Sequence, residues 1–410
     1  MTSEHDVVVT GAGVCCNLGD DLPDILRQLR AGEPKATFDP FPAAVAHHTR
    51  CQLIGLYHGD LSDAALGVPK SEGRFMGRAS RMALKAARAA VAQSGLDPHQ
   101  PGVGVVVGSG TGDVETVLEV ADKLRTTGSA HKVPPTVVPR LMASTVSANL
   151  ANVLRTSGPS FSATAACAGG AYDMLLAASL LQSGHARAAI AGGCEVQDLI
   201  FYSGFDSMRA YNGTDNDNPG RASRPYAADR AGFIFAEGAG IVVLERRADA
   251  EARGARILGT LRGWGMSSDG EGNMVAPSSE GAVAAMRHAL VHAHVGPDQI
   301  DYVNTHGTST PAGDIGEVKA IRRTLERHVA YSSTKAYTGH TVSAAGTIEA
   351  IFTLAMLREG WVAPARNAEP LDPEVVDYPP VLRPTDATLR YALSNSFGFG
   401  GTNVSLVLSV

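Results

Sequence analysis

Short β-branched runs alternate along this chain with longer Ala- and Leu-rich stretches, and that alternation restricts the fold more than any other feature. Strands spaced by helices build a parallel or mixed sheet with helices on its faces, so the class is α/β. Strands are expected at residues 6–10, 103–108, 188–191, 241–245, 257–264 and 302–304. Helices are expected at residues 80–93, 140–154, 170–182, 281–294, 315–326 and 344–357. Residues 211–229, crowded with Asn, Asp, Gly, Pro and Ser, read as a long loop over a surface or a cleft entrance. A chain of 410 residues exceeds what one core usually supports, so two halves are expected, 1–255 and 256–410.

Composition removes several classes of function. With 44% hydrophobic and 19% charged residues the chain is globular, not disordered. A net charge of -6 argues against neutralising a nucleic-acid backbone. The first residues are acidic, unlike an export signal, and no apolar run approaches the roughly 20 residues that cross a bilayer. Five cysteines without CxxC pairing suggest neither a disulfide framework nor a zinc site, and a reducing, cytoplasmic setting is expected.

One cysteine stands apart. Cys167 follows the small residues Ala163-Thr164-Ala165-Ala166 and precedes Ala168-Gly169-Gly170 and a helix-compatible stretch. Unpaired N–H groups and the dipole at a helix start stabilise negative charge, so a lowered thiol pKa is expected there. Cys15, Cys16, Cys51 and Cys194 read as buried structural cysteines. His306 and His340 both lie on Gly-adjacent turns at strand or helix ends, where reacting groups of an α/β sheet gather. Lys335 precedes the second of them.

Taken together, four motifs resemble those of the β-ketoacyl-[acyl carrier protein] synthases. They are Thr164-Ala165-Ala166-Cys167-Ala168, His306-Gly307-Thr308-Ser309-Thr310-Pro311-Ala312-Gly313-Asp314, Lys335 with Gly339-His340, and Ser394-Asn395-Ser396-Phe397-Gly398-Phe399-Gly400-Gly401-Thr402-Asn403. The resemblance implies the thiolase fold, with duplicated halves in a five-layered αβαβα arrangement. It implies catalytic roles for Cys167, His306, His340 and Lys335, and an oxyanion hole from the backbone N–H groups of Cys167 and Phe399. Thr308 and Thr310 match threonines that hold the phosphopantetheine arm, Phe399 matches a gate to the acyl pocket, and Thr111 a limit on its depth across a dimer interface. Glu349 is a candidate partner of Lys335. No cofactor or metal is implied, because the substrates ride on the phosphopantetheine of an acyl carrier protein. The expected partners are that carrier and a second subunit, in a homodimer or a heterodimer with a chain-length factor. Arg74, Lys132 and Arg209 are candidates for docking the acidic carrier.

Gly169-Gly170 and Ser343 depart from the usual residues around the motifs and leave the pathway open between fatty acid elongation and type II polyketide or polyene synthesis. The segment Met274-Val275-Ala276-Pro277-Ser278 looks like its counterpart in elongating synthases. Three rival readings stand beside this one. A non-catalytic chain-length partner would lack the reactive cysteine. A thiolase would need a late second cysteine, whereas the last one here is Cys194. A dinucleotide-binding oxidoreductase is prompted by Gly11-Ala12-Gly13 and by residues 108–112, neither of which completes G-x-G-x-x-G.

Overall fold

A computed structural model describes residues 6–270, 274 and 278–410. Of the segment 274–278 compared above, only the two end residues fall within them. Ten strands form the main sheet: β1 (Val7–Cys16), β2 (Val103–Gly108), β3 (Ser160–Phe161), β4 (Ala188–Glu195), β5 (Gly238–Arg246), β6 (Gly259–Ser268), β7 (Tyr302–Asn304), β8 (Ala330–Ser332), β9 (Tyr391–Gly398) and β10 (Thr402–Ser409). Seven helices matter here: α1 (Arg78–Ser94), α2 (Thr145–Leu154), α3 (Gly169–Gln182), α4 (Leu199–Ser207), α5 (Ser279–Ala293), α6 (Pro311–Leu325) and α7 (Ala345–Glu359).

The sheet order is β8-β7-β9-β10-β6-β1-β5-β4-β2-β3. Its middle is the antiparallel pair β1–β6, with Val8 opposite Thr260. Read outward from that pair, the two wings repeat: β1, β5, β4, β2, β3 on one side and β6, β10, β9, β7, β8 on the other. The halves are thus related by an approximate two-fold.

Hydrophobic patterning sorts the helices into layers. Ala345 to Leu357 of α7 are buried on every face, and α3 is nearly so, which suits helices sandwiched between the two wings of the sheet. Met174, Leu175, Ile351 and Phe352 form the central core with both wings. Helices α1 and α2 bury one side only, packing Met82 and Leu150 against Val105 and Ile190. Helices α5 and α6 do the same opposite, with Met286 and Ile321 on Val303 and Leu393. The result is five layers, αβαβα.

The structure revises several boundaries. Strand β1 runs on through Gly11 and Gly13, where a Cβ would sit 2.0 Å from the carbonyl oxygens of Ala90 and Ala86. These glycines let α1 lie flat on the sheet and do not form a phosphate loop, which removes the dinucleotide reading. The helix expected at 140–154 is two helices, Val137–Leu141 and α2, broken where Met142 turns to extended backbone. Strand β9 escapes the sequence pattern because Ser394, Asn395, Ser396 and Gly398 replace the usual β-branched residues, and β10 was also not anticipated. Among the described residues no helix is long and apolar enough to cross a membrane.

Candidate active site

The two-fold brings two matching helix starts together. Helix α3 follows a 3-10 turn at Ala166–Ala168 and α7 follows one at Val342–Ala344. Ala166 and Val342 hold left-handed backbone at φ 46° and 43°, a strained geometry for residues with a Cβ. Cys167 and Ser343 are therefore counterparts. A Cβ on Gly169 would lie 2.2 Å from Ser343 Oγ, and one on Gly346 would lie 2.8 Å from Ala171 Cβ. Gly169 and Ser343, the two departures noted in the sequence, are thus one steric match: the missing side chain makes room for the hydroxyl.

Three of the singled-out side chains meet at this crossing. Cys167 Sγ and one ring nitrogen each of His306 and His340 all lie within 4.8 Å of one another. The imidazoles face each other edge to face, with ring centroids 5.3 Å apart. His306 sits just past β7, its loop clamped by Glu317 of α6, which accepts the N–H of His306 at 2.9 Å and that of Gly307 at 2.8 Å. Asn395 of β9 donates to the same carboxylate at 3.0 Å. His340 is pinned through its backbone, N to Ile234 O at 2.8 Å and O to Ala236 N at 3.0 Å. Lys335 Nζ forms a buried ion pair with Glu349 of α7.

Electrostatics corrects the expectation of an acidic thiol. Burial pushes Cys167 up to about 12, although the Phe399 N–H, the charge of Lys335 and the residue's own N–H pull the other way. The resting sulfur is a neutral thiol, because desolvation of the thiolate outweighs the helix start. Burial, with Lys335 adding to it, holds both imidazoles well below the usual histidine range, so both are neutral. Neutral rings can donate one N–H and accept one proton each.

Gly398 lets the hairpin β9–β10 approach Cys167: a Cβ there would lie 3.1 Å from Ala165 O and 3.2 Å from Cys167 N. Its neighbour Phe399 thereby directs its N–H at the sulfur. Cys167, His306, His340, Phe399, Thr308 and Thr310 share one cavity of about 350 Å³, whose mouth includes Arg209. The hydroxyls of Thr308 and Thr310 stand 3.2 Å apart. Thr111 is not part of that lining; its hydroxyl donates to Glu195 at 2.9 Å. Arg74 stacks over Phe75 and Lys132 is exposed, both outside the cavity. A second cavity of about 390 Å³ lies at the C-terminal end of α7, remote from this chemistry. Sequence reasoning missed Glu317 and Glu195; the one legible signal for Glu317 was its place on the helix that follows the histidine motif.

Two family profiles match the chain, Beta-ketoacyl synthase, N-terminal domain, over residues 4–250, and Beta-ketoacyl synthase, C-terminal domain, over residues 258–369. The chain belongs to the β-ketoacyl synthase family. It is 39% identical to 3-oxoacyl-[acyl-carrier-protein] synthase 1 of Escherichia coli K12, over 98% of each chain. The crystal structure of a β-ketoacyl synthase from Burkholderia phymatum superposes with a TM-score of 0.91 at 31% identity, over 98% of this chain and 99% of that one. The ishigamide ketosynthase/chain length factor matches at 0.89 and 28%, over 99% of each. A β-ketoacyl synthase is an acyltransferase, and the five layers described above are its thiolase fold.

Proposed function

We propose that the chain carries out decarboxylative condensation of a Cys167-bound acyl group with a malonyl unit, both delivered on acyl carrier protein, in fatty acid elongation or type II polyketide or polyene synthesis. The observation that carries this reading is the meeting of Cys167, His306 and His340 on one acyl-sized cavity. In the first stage the thiol passes its proton to a neutral imidazole and the sulfur attacks the carrier thioester. The backbone N–H groups of Cys167 and Phe399 stabilise the oxyanion, and the carrier thiol leaves with the proton.

In the second stage the malonyl carboxylate leaves as carbon dioxide, and its electron pair moves onto the thioester oxygen. His306 and His340 donate N–H bonds to that enolate oxygen. The enolate carbon then attacks the acyl-Cys167 carbonyl, and the sulfur departs as thiolate and takes up a proton from water to return to the resting thiol. Lys335, held by Glu349, supplies positive charge beside the developing enolate. Thr308 and Thr310 hold the phosphopantetheine arm, and Phe399 gates the acyl channel. The protein works in the cytoplasm as a dimer, with residues 1–255 and 256–410 as its two halves and Thr111 facing the partner, and Arg209 at the cavity mouth receives the acidic carrier.

Mass spectrometry after incubation with acyl carriers of graded chain length tests this. Acylation at Cys167 is expected in the wild type and none in Cys167→Ala. Cys167→Gln, whose amide mimics the bound acyl carbonyl, is expected to retain malonyl decarboxylation. Condensation by Cys167→Ala at the wild-type rate would overturn the reading.

A further inference from the structure

We infer that Cys167, His306 and His340 also form a reversible zinc site that switches the enzyme off. One sulfur and two ring nitrogens, with a fourth position open, are the donor set of a three-ligand zinc centre. Bond lengths of about 2.3 Å to sulfur and about 2.0 Å to nitrogen put tetrahedral ligands roughly 3.3–3.6 Å apart. Here the three atoms already lie within 4.8 Å of one another. Side-chain torsions of groups that share a cavity wall close the remaining ångström or so. The fourth position points into the cavity of about 350 Å³, where water completes the shell.

The surroundings permit a dication. The charge of Lys335 bears on all three ligands, and its buried pair with Glu349 offsets it. Glu195 also acts on Cys167, and Glu317 grips the His306 loop. The Nδ1 atoms of His306 and His340 are buried with no hydrogen-bond partner among the described residues, so turning either ring breaks no existing Nδ1 bond. Binding releases one proton: the thiol gives up its hydrogen and the sulfur bonds the metal, with no redox change. Bound zinc occupies the attacking sulfur and both enolate donors at once, and an acylated Cys167 cannot bind it. The metal site rests on the geometry of the trio, and its effect as an off switch rests on the reaction proposed above.

Cobalt(II) provides the test. Chelator-stripped full-length protein is titrated with cobalt, and condensation is assayed separately in metal-free buffer, so failure of the reaction and failure of the metal site are read independently. One cobalt per chain is expected, with tetrahedral d–d bands and a thiolate-to-metal charge-transfer band, all displaced by zinc. Activity should fall in step with zinc occupancy and return with chelator. Cys167→Ala, and wild type carbamidomethylated at Cys167, should lose the charge-transfer band and bind zinc at least about a hundredfold more weakly. Zinc affinity unchanged in Cys167→Ala, or cobalt bound without thiolate charge transfer, would overturn the inference.

Discussion

Lys335 and Glu349 meet in an ion pair whose side chains are 1% and 2% exposed, one on the turn that leads to His340 and the other on α7. The pair ties the histidine turn to the helix whose start faces Cys167. Removing one partner strands a buried charge, which costs about 3–5 kcal/mol. Lys335→Met and Glu349→Leu should each lower unfolding free energy by that order in urea titrations, and the double variant should recover most of it. Additive losses would show that the two residues do not compensate each other.

Buried carboxyls outside that ion pair set a pH dependence. Burial raises Asp314 to about 6 and Glu317 to about 7. Unfolded carboxyls release their protons near pH 4, so between about pH 4.5 and 7 the folded state binds more protons than the unfolded one. Their contribution to stability is therefore full below that window and declines as pH rises through it. Glu317→Gln removes one titration, and its Tm relative to wild type should climb from pH 5 to pH 8. Parallel Tm curves for the two proteins would reject this.

Because burial raises the Cys167 thiol to about 12, its alkylation by iodoacetamide should quicken by about tenfold per pH unit from 7 to 9, with no plateau near neutrality. Lys335→Met withdraws a charge that lowers this thiol, so labelling should slow at every pH. A rate that levels off by pH 8 would mean an acidic sulfur.

Gly398 holds its place by size. A valine there would press on Ala165 O, Cys167 N and Ala166 Cβ, all within 3.3 Å of the first carbon alone. Gly398→Val should displace the Phe399 N–H and slow acylation of Cys167 by about a hundredfold, the usual effect of losing one oxyanion donor. Single-turnover acylation measured by mass spectrometry checks this, and a wild-type rate would separate Phe399 from the oxyanion hole.

Much of the architecture was legible in the chain. Helix α7 announces its middle-layer position by apolar residues on most faces, and β2 and β5 announce themselves by the β-branched runs at residues 105–107 and 241–243. These are local signals, set by periodicity and burial. Strand β9 was not, since its Ser, Asn and Gly content reads as loop until neighbouring strands supply the hydrogen bonds. The 140–154 stretch differs because Met142 takes extended backbone and α2 starts afresh after Ser144.

Residue order alone carried the α/β class, through local periodicity, and the motifs around Cys167, His306, His340 and Lys335 that resemble those of a known family. Only the tertiary structure decided their state. Glu317 reaches the His306 backbone across a helix, Gly169 answers Ser343 across the two-fold, and the Cys167 thiol is raised where its helix start alone predicts a lowered one. Burial and through-space charge belong to neighbours brought together by the fold, and no local stretch of sequence carries them.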